Sequence, residues 1–324
     1  MRIGLTYDLR SWYLERGYTM EETAEFDKEE TVAAIENELV RLGYDTVRIG
    51  NIFQLVERLA AGERWDMVFN IAEGLFGDGR ESVVPALLDQ YRIPYVFSGP
   101  VVMGVSLNKY LTRLVVAAAG VPVCPGIIAN SLHDLDDLSS LEFPLFVKPV
   151  AEGTGKGIST KSVIRDRESL VPLVSGLLKA FNQPVLIEEY LPGREFTVGV
   201  TGNGAEAKVT GGMEVICRDN LPYSMEVKEN YENYVRYRVY DEEVRAECNA
   251  VALGAWRALG AVDAGRVDMK ADRHGRICMI EVNPLAGMNP VHSDLSLLSR
   301  MNGLAFSTLM EMIINSAKKR YGLA

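Results

Sequence analysis

Two short runs in the C-terminal part of the chain combine carboxylates with strand-forming residues. They are RVDMK at residues 266–270 and ICMIEVN at residues 277–283. The separator, residues 271–276, is polar and contains Gly275. A short polar separator with glycine favours an antiparallel hairpin between the two runs.

This hairpin could assemble a cation site. Side chains alternate between the two faces of a strand. Asp268 therefore lies on one face of the first run, and Glu281 and Asn283 lie together on one face of the second. If the register brings these faces together, the three side chains form an oxygen-rich set that Mg²⁺ binds together with phosphate and water. The alternative is the solvated face of an amphipathic hairpin. Asn283 disfavours it, because asparagine is a poor strand former and here leads into a loop, residues 284–288, with free backbone donors.

A glycine-rich segment provides a second candidate site. Lys148 ends an apolar run, and AEGTGKG follows at residues 151–157. Backbone amides beside glycine, with donors from Thr154 and Lys156, suit a triphosphate. Residues 158–163 are predicted to be a strand, so the glycines join two strands, unlike the strand-to-helix setting of a Walker loop. A flexible surface hairpin is equally compatible with this segment.

Carboxylates also flank the turn in VLIEEYLPGREF, residues 185–196. Glu188 and Glu189 end one apolar run and Glu195 begins the next. Carboxylates beside a backbone turn can bind the amino group of adenine and the hydroxyls of ribose. The alternative is that Glu188 or Glu189 is an ordinary charge at the edge of a sheet.

The elements that must position these groups fall into two patterns. The first hundred residues alternate strands and helices and predict a parallel α/β sheet, with strands at residues 2–7, 46–49 and 67–71 and helices at residues 28–41, 53–61 and 82–90. The rest predicts an α+β arrangement, with helices at residues 107–119, 166–180, 242–259 and 304–318 and strands at residues 144–149, 185–190, 195–200, 207–215, 265–270 and 276–282.

Breaks in this pattern predict three domains. Residues 98–100, Ser-Gly-Pro, interrupt the first pattern, and a second boundary follows the helix that ends near residue 180. We therefore expect an N-terminal α/β substrate domain at residues 1–97, a central domain with the glycine-rich loop at residues 98–180, and a C-terminal domain with the metal and substrate site at residues 181–324.

Charge and composition exclude several classes of partner. The 324 residues carry a formal net charge of −10, which argues against non-specific binding to nucleic acid or to an anionic membrane. No apolar run has the length of a signal peptide or a membrane span, so we expect a cytoplasmic protein. The four cysteines are scattered singly and predict neither a zinc site nor a disulfide framework.

Taken in order, these pieces resemble the ATP-grasp superfamily and, within it, the D-alanine:D-alanine ligases. The resemblance runs from about Asn70 to the C-terminus. It rests on joint order and spacing rather than on any one motif, and its pieces are IPY at 93–95 with SG at 98–99, NK at 108–109, VKP at 147–149 with EG at 152–153, LIE at 186–188, GREFTV at 193–198, GRVD at 265–268, EVN at 281–283, GM at 287–288 and HS at 292–293.

The resemblance implies a role for each matched residue. Lys109 and Lys148 would contact ATP phosphates, with Thr154 closing over them, while Glu188 would hold adenine and Glu195 the ribose. The further nucleotide contacts it implies are Glu152, Gly153, Gly155, Lys156, Glu189, Leu191, Lys228 and Ile280. Asp268, Glu281 and Asn283 would bind two Mg²⁺ ions, bridged by Glu281, with Mn²⁺ as an alternative metal. Arg266 and the Gly287 amide would stabilise an oxyanion, and Ser293 would orient the second substrate.

The expected activity is therefore an ADP-forming ligation of a small carboxylate to an amine through an acyl phosphate. Phosphoryl transfer of this kind needs positioning and charge neutralisation more than a protein nucleophile. Authentic D-alanine:D-alanine ligase and a non-catalytic ATP-grasp nucleotide-binding protein are the alternatives. A homodimer is one option for assembly, which the sequence leaves open.

Three departures from the family pattern concern the first substrate. Residues 6–10 replace the usual Gly-Gly loop and its nearby Glu, and residues 70–81 lack the usual His-Gly pair although they keep Gly-Asp-Gly. In the lid, the nearest match to the family's Lys-Tyr pair is Lys228 with Tyr231, so either Tyr231 replaces the tyrosine that contacts the first-substrate site or that role is lost. We therefore expect D-alanine to be a poor first substrate, with Asp8, Arg10 or Glu73 recognising another carboxylate. The alternative is that Asp8 or Glu73 takes over the role of the missing Glu.

Overall fold

The N-terminal part of the chain forms a parallel α/β sheet. The computed structural model describes residues 1–218 and 234–323. Four strands pair in parallel in the order β2-β1-β3-β4, and they are β1 (Arg2–Tyr7), β2 (Asp45–Gly50), β3 (Met67–Ile71) and β4 (Tyr95–Val96). Strands β1 and β3 are almost entirely buried, as expected where helices cover both faces of a parallel sheet.

Helices cover this sheet close to where the apolar periodicity predicted them. They are α1 (Arg10–Leu14), α2 (Glu29–Arg41), α3 (Ile52–Ala60) and α4 (Val83–Gln90). Asn51 and Gln54 form a reciprocal capping box that fixes the start of α3. Short α1 was not predicted, and it opens a long connection, residues 15–28, whose importance appears at the site.

The central part contains an antiparallel sheet in the order β5-β8-β6-β7. It follows α5 (Pro100–Leu107) and α6 (Lys109–Ala118), and its elements are β5 (Gly126–Ala129), β6 (Leu145–Pro149), β7 (Val163–Ile164), α7 (Arg167–Phe181) and β8 (Val185–Glu189). The glycine-rich loop does join two strands, as predicted. The prediction of a strand over residues 158–163 was wrong, since turns and a 3₁₀ helix at Thr160–Ser162 occupy most of that segment.

The C-terminal part contains an antiparallel sheet in the order β11-β10-β9-β12-β13. Its elements are β9 (Glu195–Thr201), β10 (Lys208–Cys217), β11 (Val235–Val239), α8 (Glu242–Leu259), β12 (Ala264–Ala271), β13 (Ile277–Asn283), α9 (Asp294–Met301) and α10 (Phe306–Tyr321). The predicted bounds of α8 agree with the structure. The patterns had not predicted α5, β5, β11 or α9, all of which are short.

Separate apolar cores hold the sheets together. One core joins the N-terminal sheet to α9 and α10 through residues such as Leu5, Phe69, Leu298 and Ile313. A second, around Trp256, packs α8 on the C-terminal sheet, and a third lies under the central sheet. The predicted fold class, α/β followed by α+β, is confirmed. The domain boundaries after residues 97 and 180 remain predictions.

Across residues 1–218 and 234–323, no individual helix has the length and apolarity to cross a membrane. Helices α5 and α6 reach that threshold only as a pair, and they are bent by 107° with respect to each other.

Candidate active site

A cavity between the central and C-terminal sheets collects most of the predicted nucleotide contacts. The residues predicted from the sequence that line this cavity are Lys109, Lys148, Glu152, Gly153, Thr154, Gly155, Glu188, Glu189, Leu191, Glu195, Ile280, Asp268 and Glu281. Phe146, Ile158, Tyr190 and Lys270 line it as well. Apolar Phe146, Ile158, Leu191 and Ile280 suit the faces of a flat ring, and the charged residues suit phosphates and ribose.

Lys148 and Glu188 form a buried ion pair in this cavity. The Lys148 ammonium lies 2.7 Å from Glu188 Oε1, and neighbouring strands β6 and β8 place both side chains on the same face. Arg113 also approaches Glu188, at 3.4 Å. Burial raises the pKa of the Glu188 carboxyl, but Lys148 and Arg113 outweigh that effect and lower it. Both groups are therefore charged, and Lys148 is already oriented for an anion.

Lys109 is positioned by the start of helix α6. The Asn108 side chain caps that helix by accepting hydrogen bonds from the backbone N–H groups of Tyr110 and Leu111. The Lys109 ammonium donates to the Glu152 carbonyl at 2.5 Å and lies 3.5 Å from the Glu281 carboxylate. It therefore links the glycine-rich loop to the carboxylate cluster of the C-terminal sheet.

The glycine-rich loop presents an unsatisfied donor. Thr154 adopts a left-handed backbone conformation, with φ of 48°, and its buried Oγ1 has no hydrogen-bond partner among the described residues. A buried hydroxyl without a partner is costly, so a ligand oxygen at this point would stabilise it. The loop thus fits a phosphate group.

Glu195 has a cross-strand partner that the patterns did not single out. Lys270 on β12 lies directly opposite Glu195 on β9, and its ammonium is 2.9 Å from the carboxylate. Lys270 shares a strand face with Asp268, so the alternation of side chains contained the signal that it belongs to this site.

The carboxylate cluster forms as the hairpin prediction required. Asp268 lies directly opposite Glu281, and Arg266 directly opposite Asn283. The Asn283 amide donates to both carboxylates at 3.3 Å, and Thr197 donates to Asp268 at 3.0 Å. Burial and the nearby Glu281 raise the pKa of Asp268 to about 6, although the ion pair with Arg266 opposes the shift.

These donors fit a hard divalent cation. Two carboxylates directly opposite each other on neighbouring strands repel, and a cation between them would relieve that repulsion. Within the described residues no group of three or more His, Cys, Asp or Glu side chains could hold a metal ion by itself. The remaining coordination would therefore come from Asn283, phosphate oxygens and water, the usual arrangement for Mg²⁺ at a phosphoryl-transfer site.

A second cavity adjoins the first and holds the other predicted catalytic residues. Arg266, Gly287 and Ser293 line it together with Asn283 and His292. Ser293 Oγ accepts a hydrogen bond from the Asn289 backbone N–H at 2.9 Å. A side chain at position 287 would place a Cβ 2.8 Å from Ser293 Oγ, so a larger residue there would displace the Ser293 hydroxyl. The absence of a side chain leaves the backbone of Gly287 accessible to a ligand.

The two cavities meet at a shared wall. Lys109, Glu152, Gly153, Thr154 and Glu281 line both of them. A ligand group at this wall would be within reach of both cavities.

The N-terminal side of the second cavity is rich in carboxylates, with Arg10 and Lys28 as its cations. Asp27, Glu73 and Glu81 line it, and none of the three forms an ion pair with another described residue. Burial, together with the neighbouring Asp8, raises the pKa of Asp27 to about 7. Burial and the other acids raise the pKa of Glu73 well above its usual value.

Asp8 is not among the residues that line the second cavity. Its carboxylate accepts hydrogen bonds from the Tyr13 hydroxyl at 2.5 Å and from the Gly74 backbone N–H at 2.8 Å, and it is 2% exposed. Arg10 lines the cavity, but its guanidinium donates to the carbonyls of Thr23 and Ala24. Glu73 is therefore the member of the predicted first-substrate set best placed to contact a ligand.

Three predicted contacts lie outside this arrangement. Lys228 and Tyr231 lie outside the described residues. Lys156 is not among the residues that line the nucleotide cavity, and its ammonium instead lies 3.1 Å from Glu25 and 2.9 Å from Glu152. The sequence offered no sign of Glu25, because more than a hundred positions separate it from the glycine-rich loop.

Comparison with known proteins connects this geometry to a family. The family model described as "D-ala D-ala ligase C-terminus" matches residues 118–315. The D-alanine--D-alanine ligase of Marinomonas sp. (strain MWYL1) is 31% identical over 80% of this chain and 79% of its own length. The chain belongs to the D-alanine:D-alanine ligase family. Members of this family are ATP-grasp enzymes, ADP-forming carboxylate–amine ligases, so the prediction of such a ligase is confirmed.

Solved structures in the family share the fold over the whole chain. The D-alanine--D-alanine ligase of Bacillus anthracis complexed with ATP superposes with a TM-score of 0.76 at 22% identity, covering 99% of both chains. The VanG D-Ala:D-Ser ligase of Enterococcus faecalis gives a TM-score of 0.75 at 18% identity, covering 98% of this chain and 99% of its own. One fold thus carries ligases whose names give different second substrates.

Proposed function

We propose that this protein uses ATP and Mg²⁺ to activate a small carboxylate as an acyl phosphate and then joins it to an amine. The observation that carries the proposal is the shared wall of the two cavities. In this proposal the γ-phosphate passes from nucleotide to carboxylate beside Lys109, Thr154 and Glu281, which line both cavities. A wall shared in this way provides the proximity that a two-substrate transfer requires.

The first step needs charge neutralisation. A carboxylate oxygen attacks the γ-phosphorus, the bond to the β-phosphate oxygen breaks, and ADP leaves with that electron pair. Lys148 and Lys109 supply fixed positive charge, and Thr154 with its neighbouring amides supplies hydrogen-bond donors. Asp268, Glu281 and Asn283 would hold magnesium, two ions in this proposal, and the metal would neutralise the phosphate oxygens.

The second step uses the other cavity. The amine nitrogen attacks the acyl carbon, and the carbonyl oxygen becomes an oxyanion until phosphate leaves. Arg266 and the Gly287 N–H line the cavity in which this oxyanion would form, and Ser293 would hold the carboxylate of the amine substrate. A non-catalytic nucleotide-binding protein would need none of these groups.

We further infer that the first substrate differs from D-alanine and carries an additional cationic group. Asp27, Glu73 and Glu81 face the cavity without ion pairs in the described part of the chain. Beside the small methyl group of D-alanine these carboxyls would keep the raised pKa values that burial gives them, whereas an ammonium group would favour their ionised forms and donate charge-assisted hydrogen bonds to them. This inference rests on the acidic wall alone and is separable from the ligase activity.

The test is ADP release with ATP, Mg²⁺ and matched pairs of amino acids. Each pair should differ only in a side-chain amino group, such as norleucine against lysine, in both L and D forms, with D-alanine as a separate sample. We expect faster turnover with the basic member of a pair, and Glu73→Gln should reduce that preference by about tenfold to a hundredfold. Exposed Glu57 provides the matched control, Glu57→Gln.

The outcomes separate the two parts of the proposal. Brisk formation of a D,D-dipeptide from D-alanine alone would refute the altered first-substrate site and leave the ligase activity intact. An absence of ADP release with every carboxylate and amine, in a folded protein that binds ATP, would favour the non-catalytic alternative.

A further inference from the structure

The Glu25 carboxylate ties the glycine-rich loop to the N-terminal part of the chain. The Gly153 backbone N–H donates to Glu25 Oε1 at 2.9 Å, and the Lys156 ammonium lies 3.1 Å from the same oxygen. On the other side, Arg80 donates to Glu25 Oε2 at 2.8 Å. The two oxygens of one side chain therefore bridge the loop and the 3₁₀ helix Arg80–Ser82 that precedes α4.

Further contacts reinforce the bridge. Arg80 also donates to the Ala151 carbonyl at 2.9 Å, immediately before the loop, and Lys156 pairs with Glu152 within the loop. The Glu25 side chain is only 7% exposed and that of Arg80 9%. Burial raises the pKa of Glu25, but Arg80 and Lys156 outweigh it and lower the pKa to about 2. The bridge is therefore ionic at neutral pH.

The sequence is shaped to permit this contact. A Cβ at position 153 would lie 2.8 Å from Glu25 Oε1, so any residue larger than glycine would push the carboxylate away. Glu25 comes from the long connection between α1 and α2, which lies far from the loop along the chain. Such a buried, charge-assisted contact between distant segments is too specific to be explained as an ordinary surface ion pair.

We propose that Glu25 is a positioning residue that latches the glycine-rich loop closed over the phosphates. The inference rests on the proposed function, since the loop is assigned there to the triphosphate. Glu25 also lines the second cavity, so the latch lies next to the point where the acyl phosphate would form. Lys156 therefore acts through Glu25 rather than on the nucleotide.

A latch of this kind protects the intermediate from water. When the loop opens, a water oxygen can attack the acyl carbon, the bond to the phosphate oxygen breaks, and phosphate leaves with the electron pair. The carboxylate is regenerated, and ADP has been released without amide formation. Weakening the latch should therefore raise the ratio of ADP to ligated product.

The first test measures the loop without requiring a substrate. Hydrogen exchange of the peptides that cover residues 151–158 would be followed by mass spectrometry in Mg²⁺-ADP, for the wild type and for Glu25→Gln, Lys156→Met and Glu57→Gln. Loss of charge-assisted bonds should speed exchange in Glu25→Gln by about tenfold to a hundredfold, with a smaller increase in Lys156→Met. The exposed control should match the wild type.

The second measurement separates latching from general loss of stability. The ratio of ADP to amide product is measured with a substrate pair identified by ADP release. Glu25→Gln should raise this ratio severalfold. The double variant Glu25→Gln with Lys156→Met should have nearly the same ratio as Glu25→Gln alone. Exchange confined to the loop, with unchanged exchange in α8, indicates local opening rather than unfolding. Wild-type exchange and an unchanged ratio in folded Glu25→Gln would overturn the latch, whereas absence of any product would bear on the proposed ligation alone.

Discussion

Individual charges decide most of what this site can do. Lys148 and Arg113 both approach the buried Glu188 carboxylate, so removal of Glu188 would leave two buried cations uncompensated. Asp268 and Glu281 face each other directly and therefore favour a cation between them. Substitutions at these positions should thus separate binding from catalysis.

Glu281→Gln should abolish ligation while the fold survives. The change removes a charge that the proposed cations need, but it keeps nearly the same shape and volume, so we expect a loss of several orders of magnitude in rate. Product formation and circular dichroism, measured together, check this expectation. Near-wild-type turnover in the folded variant would contradict the proposed metal site.

Lys148→Ala should weaken ATP binding, and Lys156→Ala should weaken it less. Lys148 lines the nucleotide cavity, and its contact with a phosphate would contribute roughly 1.5 to 3 kcal/mol, whereas Lys156 pairs with Glu25 and Glu152 instead. Calorimetry with a non-hydrolysable ATP analogue distinguishes them. Equal affinity of Lys148→Ala and the wild type for the analogue would show that Lys148 does not contact a phosphate.

At the scale of elements, strand register does the positioning. The β12–β13 hairpin and the β9–β12 pairing set Asp268 opposite Glu281 and Lys270 opposite Glu195, respectively. A shift of one residue would turn these side chains to the other face of the sheet. The connection between α1 and α2 has no such regular pairing, yet it contributes Glu25 and Asp27 to the second cavity.

Asp27 in that connection predicts a pH dependence of stability. Burial and the neighbouring Asp8 raise its pKa from 3.8 to about 7, with Arg10 opposing the shift. The folded state therefore binds an additional proton between about pH 4 and pH 7, and the contribution of this group to stability falls as the pH rises through that window.

Asp27→Asn should consequently gain stability relative to wild type as the pH increases. The difference in free energy of unfolding between variant and wild type should grow by roughly 2 to 4 kcal/mol from pH 4 to pH 8, less if water relaxes around the group. Denaturant titrations at several pH values test this expectation. A difference that stays constant across the window would show that the carboxylate is ionised in the folded state at low pH.

At the scale of the whole molecule, the nucleotide cavity lies between two sheets with separate cores. The central sheet contributes Lys148 and Glu188, and the C-terminal sheet contributes Glu195 and Asp268. A ligand that contacts both sheets should therefore stabilise their association as well as its own pocket.

Mg²⁺-ADP should accordingly raise the melting temperature by several degrees. At a hundredfold excess over the dissociation constant, binding adds about 2.7 kcal/mol to the stability of the folded state. The shift should shrink in Lys148→Ala and persist in the exposed control Glu57→Gln. Identical melting curves with and without saturating nucleotide would argue against a nucleotide site between the sheets.

The sequence by itself determined the family, the fold class, the hairpin and most of the residues that line the proposed nucleotide cavity. These features depend on short-range patterns, namely alternation within a strand, glycine spacing and the order of motifs, all of which can be read along the chain. The same periodicity gave the bounds of long helices such as α8. It missed α5, whose sequence PVVMGVSL is mostly apolar and shows little helical period, and it also missed α9, although α4 of the same length was predicted.

Only the tertiary structure decided which charges meet across long separations. Glu25 latches a loop that lies some 130 positions further along the chain, Asp8 is buried against Tyr13 and Gly74, and Lys156 is drawn away from the nucleotide cavity. The identity of a charged residue in the sequence does not show whether it binds substrate, holds a loop or faces water. Its role depends on burial and on partners that are distant in the sequence, and packing alone brings those together.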